Sequence, residues 1–198
     1  MSNPRSATTP WPAVRLLLVA ALMFAPPQTA ATAATAASAA PKLEIDGLVF
    51  QVPPTWRAVP RGSAMRRAEY RIAGGAGAED EVGRAVFYRF SAGAGGTPEA
   101  NIARWYRQFR EPRADLDATL TVAGVPGRRR FVFRAFGTLI GRGPDGQPVQ
   151  VPDYGFLGAL LETAKSTIFI RAVAPAAVVR RDDAAFRAMI DGVDGESD

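Results

Sequence analysis

Residues 154–174 read YGFLGALLETAKSTIFIRAVA, and this stretch decides the fold class. Two apolar runs, 154–162 and 167–174, are separated by a short polar segment, which predicts two strands of one hairpin-like pair. In the first run the neighbours Phe156 and Leu157 are both large and apolar, although successive side chains of a strand point to opposite faces. Such a strand lies inside a sheet whose two faces are both covered.

Further strands and two helices complete the domain. A first helix is predicted to begin at Pro98 behind the N-cap Thr97 and to end at Glu111-Pro112, and a second to span 176–190. The sequence therefore predicts an α+β domain, a twisted and mostly antiparallel sheet of about six or seven strands flanked by two main helices. The remaining strands are predicted at 43–52, 68–72, 84–91, 116–123 and 128–138, the last two joined by a turn at 124–127.

Several local signals refine these strands. Asp46-Gly47 interrupts the first strand as a bulge or a tight turn, and Trp56, which follows two prolines, is expected to close the edge of the core. In the second strand the alternation places Tyr70 inward and the charged Glu69 outward. The stretch 139–152, rich in glycine and proline, is predicted to be a loop.

The amino terminus differs from the rest of the chain. Arg5 and Arg15 lie before or at the start of an apolar run at 16–25, two prolines end that run, and an Ala/Thr-rich tract with repeated Ala-x-Ala triplets follows. This order is typical of a secretory signal peptide. The alternative is an uncleaved anchor, but the run is half of the about 20 apolar residues that a bilayer span needs. We therefore expect a periplasmic or secreted protein with no stable membrane span after cleavage.

These signals divide the chain into three parts: a signal peptide with its Ala/Thr tract at 1–40, one α+β domain at 41–192 and an acidic tail at 193–198. A domain of this size buries roughly two thirds of the surface of its unfolded chain and folds without disulfides. The formal net charge of the whole chain is only +5, and we expect no nucleic-acid partner. We expect a monomer.

The chain contains no histidine and no cysteine. Their absence excludes zinc sites of the usual Cys/His type, haem with His or Cys ligands, and catalysis by Ser-His-Asp or Cys-His groups. The absence of cysteine also excludes a lipid-anchored lipoprotein. We therefore predict a protein that is not an enzyme and that carries no cofactor or metal.

Four motifs carry a resemblance that covers nearly all of the mature chain. They are VPPTW at 52–56, GGTPEANIARW at 95–105, VAGVP at 122–126 and GFLGALLE at 155–162. With the order of the elements, they make the chain similar to an uncharacterised family of exported bacterial domains. The topology also resembles the PsbP-like fold, a twisted antiparallel sheet flanked by helices. This resemblance implies an accessory or binding role, although a fold does not determine a function.

Arginines form the one unusual constellation of charged residues. Arg89, Arg134 and Arg171 lie inside strands with apolar neighbours, where a charge needs a partner. Arg128 and Arg130 share a strand face with Arg134, because every second residue points the same way. If these strands are neighbours, the five arginines form a basic stripe that binds a carboxylate or phosphate in a bidentate manner. The alternative is a set of structural ion pairs with nearby acids.

Three other features have simpler explanations. The loop Gly93–Gly96 leads into a helix as phosphate-binding loops do, but it lacks their lysine, and a capped helix start is favoured. The carboxylates of Glu79–Glu81 are better explained by an acidic loop tip than by a calcium site. Trp105, Tyr106 and Phe109 follow the helical period, which indicates core packing rather than a stacking platform.

The leading functional hypothesis is a non-enzymatic, exported binding or accessory module for a small anion or an envelope protein partner. One alternative is a carboxylate-based hydrolase that uses two acids from the set Glu44, Asp46, Asp153 and Glu162. The other is a structural or assembly protein of the cell envelope, with an exposed apolar patch or a stable oligomeric state.

Overall fold

The computed structural model describes residues 40–75, 81–143 and 145–193. The predicted signal peptide and its tract through residue 39, the acidic loop residues 76–80 and the tail residues 194–198 lie outside the described part. Val193, the first residue of the predicted tail, is buried in the core. The packed domain therefore extends at least one residue beyond the predicted boundary.

The described residues form nine strands and two helices. Seven of the strands make one antiparallel sheet in the order β3-β4-β5-β9-β8-β7-β6, and β1 and β2 make a separate hairpin. The predicted α+β class is confirmed. The elements are β1 (Lys42–Ile45), β2 (Leu48–Gln51), β3 (Trp56–Ala58), β4 (Arg66–Ala73), β5 (Glu81–Ser91), α1 (Pro98–Tyr106), β6 (Asp117–Ala123), β7 (Arg130–Arg142), β8 (Pro148–Glu162), β9 (Ser166–Pro175) and α2 (Ala176–Asp191).

Strands β8 and β9 lie inside the sheet, and β8 is apolar on both faces as predicted. On one face Leu157 belongs to a buried cluster that includes Phe186 of α2. On the other face Phe156 belongs to a second cluster that includes Trp105 of α1. We call these two surfaces of the sheet the α2 face and the α1 face. Each helix covers apolar side chains that the sheet alone would leave in water.

Asp182 links helix α2 to the edge of the sheet. Its side chain is buried, and it accepts hydrogen bonds from Trp56 Nε1 at 3.0 Å and from Thr55 Oγ1 at 3.1 Å. Arg181 Nε donates to the same carboxylate at 2.8 Å, which supplies the opposite charge that a buried acid needs. Trp56 is fully buried, so its predicted place in the core is confirmed, although it begins the short strand β3.

Helix α1 begins where the sequence predicts. Thr97 Oγ1 accepts a hydrogen bond from Ala100 N at 3.2 Å, which satisfies one of the free amides of the first turn. At the other end of the helix Trp105 packs on Gly158 of β8, where an added Cβ would lie 2.9 Å from the indole ring. The absence of a side chain at Gly158 therefore lets α1 approach the sheet closely.

The predicted end of α1 at Glu111-Pro112 is wrong, because the helix stops at Tyr106. The following residues leave the helix to lie along β7, where Phe109 forms an isolated β-bridge with Leu139. Phe109 is buried in this way without being helical. Its helical spacing in the sequence therefore predicted its burial correctly and its conformation wrongly.

The predicted loop at 139–152 is wrong at both ends. Strand β7 extends to Arg142 and β8 begins at Pro148, with Leu139 paired to Val151 and Arg142 paired to Pro148. Pro148 is the first residue of its strand, a position where the missing N–H does not break the ladder. Pairing between the two strands thus overrides the glycine and proline signals of this stretch.

The predicted first strand, 43–52, is in fact two strands. Asp46 and Gly47 have positive φ angles of 53° and 82°, the combination that a two-residue hairpin turn of type I′ requires. The tight turn at these residues is confirmed, and the single continuous strand is wrong. The resulting hairpin packs Ile45 and Phe50 into the core of the α2 face.

Candidate anion site

Two of the five predicted arginines support helix α2. Arg134 Nη1 donates to Asp183 at 2.8 Å, and Arg130 Nη2 donates to the carbonyl oxygen of Val193 at 2.9 Å. The second contact satisfies a carbonyl just beyond the end of the helix, where backbone acceptors lack intrahelical partners. Both side chains thus have structural roles on the α2 face.

The other three arginines do not form a stripe with Arg130 and Arg134. Arg89 Nε donates to Asp46 at 2.8 Å, in the turn of the first hairpin. Arg128 precedes β7 instead of lying within it. Arg171 lies on the opposite, α1 face, with its guanidinium carbon 5.8 Å from the centre of the Phe156 ring. The structure therefore does not bring the five arginines into one stripe.

Among the half-buried arginines of the strands, Arg171 is the one with which no described residue forms a hydrogen bond or an ion pair. It lies in the middle of β9, and its Nε is buried without a hydrogen-bond partner. Burial lowers the pKa of its guanidinium; nearby Tyr88 opposes this effect, and nearby Arg66 adds to it. Arginine stays charged even so. Arg171 thus carries a largely desolvated positive charge that the described residues leave unpaired.

A row of four residues crosses the α1 face at this point. Glu69 pairs with Val86, Val86 with Arg171, and Arg171 with Gly158, on four successive strands from β4 to β8. Directly paired residues project to the same face of a sheet, and neighbouring strands lie about 5 Å apart. The backbones of Glu69 and Arg171 are therefore about 10 Å apart on one surface, with a valine between them.

Glu69 is the acid of this row, and its predicted outward position in water is wrong. The residue is 2% exposed. Its carboxylate accepts hydrogen bonds from Arg84 Nη1 at 2.6 Å, Arg66 Nη1 at 2.7 Å and the amide of Gly62 at 2.9 Å. These donors, Arg84 first, lower its pKa to about 2. The side chains of two arginines cover the acid, so alternation along the strand did not reveal its burial.

Aromatic rings border Arg171 along the strands. Tyr88, one position further along the α1 face of β5, and Phe90 stack at 6.4 Å with an interplanar angle of 20°. Phe90 meets Phe169 edge to face at 5.3 Å. Both Tyr88 and Phe90 remain partly exposed. On the other side, Trp105 covers Gly158, so the area around Arg171 lies between the helix α1 and the Arg66–Glu69 pair.

The sequence identified Arg171 but none of the groups around it. Arg66, Glu69 and Arg84 come from β4 and β5, while Arg171 comes from β9, more than 80 residues later. The sequence showed only that arginines occur among apolar residues in several predicted strands. Which arginines have acids beside them depends on strand order, which one sequence does not provide.

The loop before α1 and two of the four candidate catalytic acids, Asp46 and Glu162, make structural contacts. Gly95 packs against Phe90, where an added Cβ would lie 3.0 Å from the ring. The carboxylates of Asp46 and Glu162 have lowered pKa values, Asp46 chiefly through a hydrogen bond with Ser166 and Glu162 chiefly through Arg129. Both acids are therefore ionised at neutral pH, and neither has the raised pKa of a general acid.

Within residues 40–75, 81–143 and 145–193, no three metal-binding acidic side chains lie close enough together to hold an ion. In the same part of the chain no helix has the length and apolar character that crossing a bilayer demands.

No family model matches the chain, and no curated protein matches it. Among solved structures, the chain is similar to the solution structure of cyanobacterial PsbP (CyanoP) from Synechocystis sp. PCC 6803. The two share 11% identity, the likeness covers 76% of this chain and 87% of that one, and the TM-score is 0.49. The sequence resemblance named the same fold. A likeness at this identity concerns the path of the backbone alone.

Proposed function

We propose that the protein is an exported, non-enzymatic module that binds a small anion at Arg171 on the α1 face. One observation carries the proposal: this guanidinium is largely buried in the sheet, and no described side chain neutralises it. A carboxylate or phosphate oxygen would supply the missing partner, since a planar guanidinium matches such groups geometrically.

The other strand arginines support this interpretation by contrast. Arg134 meets Asp183 and Arg89 meets Asp46, each at 2.8 Å, and Arg130 donates to backbone carbonyl oxygens, so each of these structural arginines has an acceptor. Desolvating a charge without a partner costs several kcal/mol. A position that retains such a charge is therefore a candidate for ligand binding, because the ligand completes the pair.

The direct test is titration calorimetry of the full chain with acetate and inorganic phosphate, at low ionic strength. We expect at least one of them to bind the native protein and to raise its melting temperature. Arg171→Met should abolish both effects. The matched control is Arg107→Met, which removes the same charge from an exposed residue just after α1. No binding by either anion, or equal binding by both variants, would overturn the proposal.

Export is the second part of the proposal, and the amino-terminal sequence supports it. The basic residues, the short apolar run and the Ala-x-Ala triplets before residue 41 form the order of a cleaved leader. Expression of the full chain in a Gram-negative host, followed by fractionation and mass measurement, should recover a shortened protein in the periplasm. An intact chain in the cytoplasm would contradict export and leave anion binding unaffected.

A further inference from the structure

We infer that the ligand of the Arg171 site is a monocarboxylic acid with an apolar, ring-sized body. This inference rests on the proposed anion-binding function and specifies its ligand class. It is carried by the juxtaposition of one unpaired guanidinium with partly exposed aromatic rings on the α1 face.

The charges of the row favour a single negative charge on the ligand. Glu69 already accepts hydrogen bonds from Arg66 and Arg84, so Arg171 is the cation of the row that no described acid engages. The ionised carboxylate of Glu69 lies on the same surface, about two strand spacings away. Arg66 and Arg84 already balance that carboxylate, so the charge left for a ligand is the single positive charge of Arg171, which one carboxylate neutralises. A carboxylate is the monoanion that fits a guanidinium fork.

The rings next to Arg171 favour an apolar body on that carboxylate. Tyr88 pairs with Phe169 in the register of β5 and β9, one step along the face from the Val86–Arg171 pair. Tyr88 and Phe90 are stacked and partly exposed. A ligand whose acid meets Arg171 would therefore extend its body over these rings, where burial of apolar surface and ring contacts favour binding.

The described contacts of Trp105, in helix α1, lie on β7 and β8 and not on these rings: its indole packs against Phe133, Phe156 and Gly158. The loop before the helix packs on the Phe90 and Phe169 rings through Gly95. Tyr88 and Arg171 lie on neighbouring strands and on the same face of the sheet.

Four compounds test the inference by calorimetry with the full chain: acetate, 3-phenylpropionate, its neutral amide 3-phenylpropanamide, and inorganic phosphate. We expect 3-phenylpropionate to bind at least about tenfold more tightly than acetate, because its ring adds buried apolar area. The amide and phosphate should each bind at least about tenfold more weakly than 3-phenylpropionate, because the first lacks the charge and the second lacks the ring.

Three variants, one of them a control, and one spectroscopic measurement locate the contacts. Arg171→Met should abolish binding of 3-phenylpropionate, and Tyr88→Ser should reduce its affinity towards that of acetate. Arg107→Met should leave both affinities unchanged. Saturation-transfer NMR on the native protein should show the ring protons of 3-phenylpropionate in contact with aromatic protons, and this measurement does not depend on a variant that folds.

The outcomes separate this inference from the proposed function. If acetate or phosphate binds through Arg171 and 3-phenylpropionate binds no more tightly, the ligand class is wrong and anion binding stands. If the neutral amide binds as tightly as the acid, charge recognition is wrong and both proposals fail. If none of the compounds binds, both proposals fail as well.

Discussion

Glu69 and Arg171 lie in one row across the sheet, on the same face and two strands apart, and they do not pair. Glu69 instead accepts from Arg66, Arg84 and the amide of Gly62. The acid of the row is thus saturated, while its basic neighbour on β9 has no described partner. This asymmetry distinguishes Arg171 from Arg89 and Arg134 on the α2 face, each of which meets an acid.

The asymmetry predicts opposite stability effects for two arginine substitutions. Arg171→Met should raise the free energy of unfolding by about 1 kcal/mol, because it removes a desolvated charge that lacks a partner. Arg134→Met should lower it by about 1 to 2 kcal/mol, because Asp183 loses a donor at 2.8 Å. Urea unfolding of the two variants and the native chain measures both. A loss of stability for Arg171→Met as large as that for Arg134→Met would contradict the unpaired state of Arg171.

The lowered pKa of Glu69 predicts how the stability of the folded protein depends on pH. Its pKa in the folded protein, about 2, lies below its usual value of 4.5, so the unfolded chain takes up a proton first as the pH falls. This contribution to stability is complete above pH 4.5 and is lost progressively towards pH 2. Glu69→Gln should lower the melting temperature at neutral pH and flatten its pH dependence within that window.

The control for Glu69 is an exposed glutamate. Glu44→Gln changes the same charge on β1, and its melting temperature should follow that of the native protein across the window. Thermal unfolding by circular dichroism between pH 2 and pH 7 supplies the comparison. Equal pH dependence for Glu69→Gln and the native protein would show that the Glu69 carboxylate does not accept the hydrogen bonds that lower its pKa.

The buried Asp182 predicts a large loss of stability on truncation. Asp182→Ala removes the acceptor of Trp56 Nε1 and leaves that donor buried without a partner, at a cost of about 2 to 4 kcal/mol. Asp191→Ala, at an exposed position of the same helix, should change stability by about 0.5 kcal/mol at most. Urea unfolding measures both, and the native emission of Trp56 should shift in the first variant alone. Similar effects for the two variants would rule out the link between α2 and the sheet edge.

Gly155 predicts the effect of overpacking beneath helix α2. An added Cβ would lie 2.6 Å from the Val179 side chain, so Gly155→Ala forces the helix away from β8. We expect a loss of about 1 to 3 kcal/mol. Gly75→Ala is the matched control, since no atom lies within 4 Å of its added Cβ. Differential scanning calorimetry should show a lower melting temperature for the first variant and little change for the second.

The secondary structure was largely predictable because its signals are local. Thr97 before Pro98 predicted the start of α1, and the two apolar faces of β8 predicted layers on both sides of the sheet. The errors occurred where pairing with a distant strand overrides local signals. The glycines and prolines of 139–152 suggested a loop, but the ladder between β7 and β8 includes 139–142 and 148–151. Phe109 was placed in a helix, but its partner is Leu139.

The sequence by itself determined that arginines stand among apolar residues on several strands, since alternation is a property of neighbours along the chain. Tertiary structure alone decided which of them share a surface. Arg134 pairs with Leu157, and Leu157 pairs with Ala172, so the neighbouring Arg171 projects to the other face. A register difference of one residue reverses the face of every side chain, and register depends on packing between strands that are far apart in sequence.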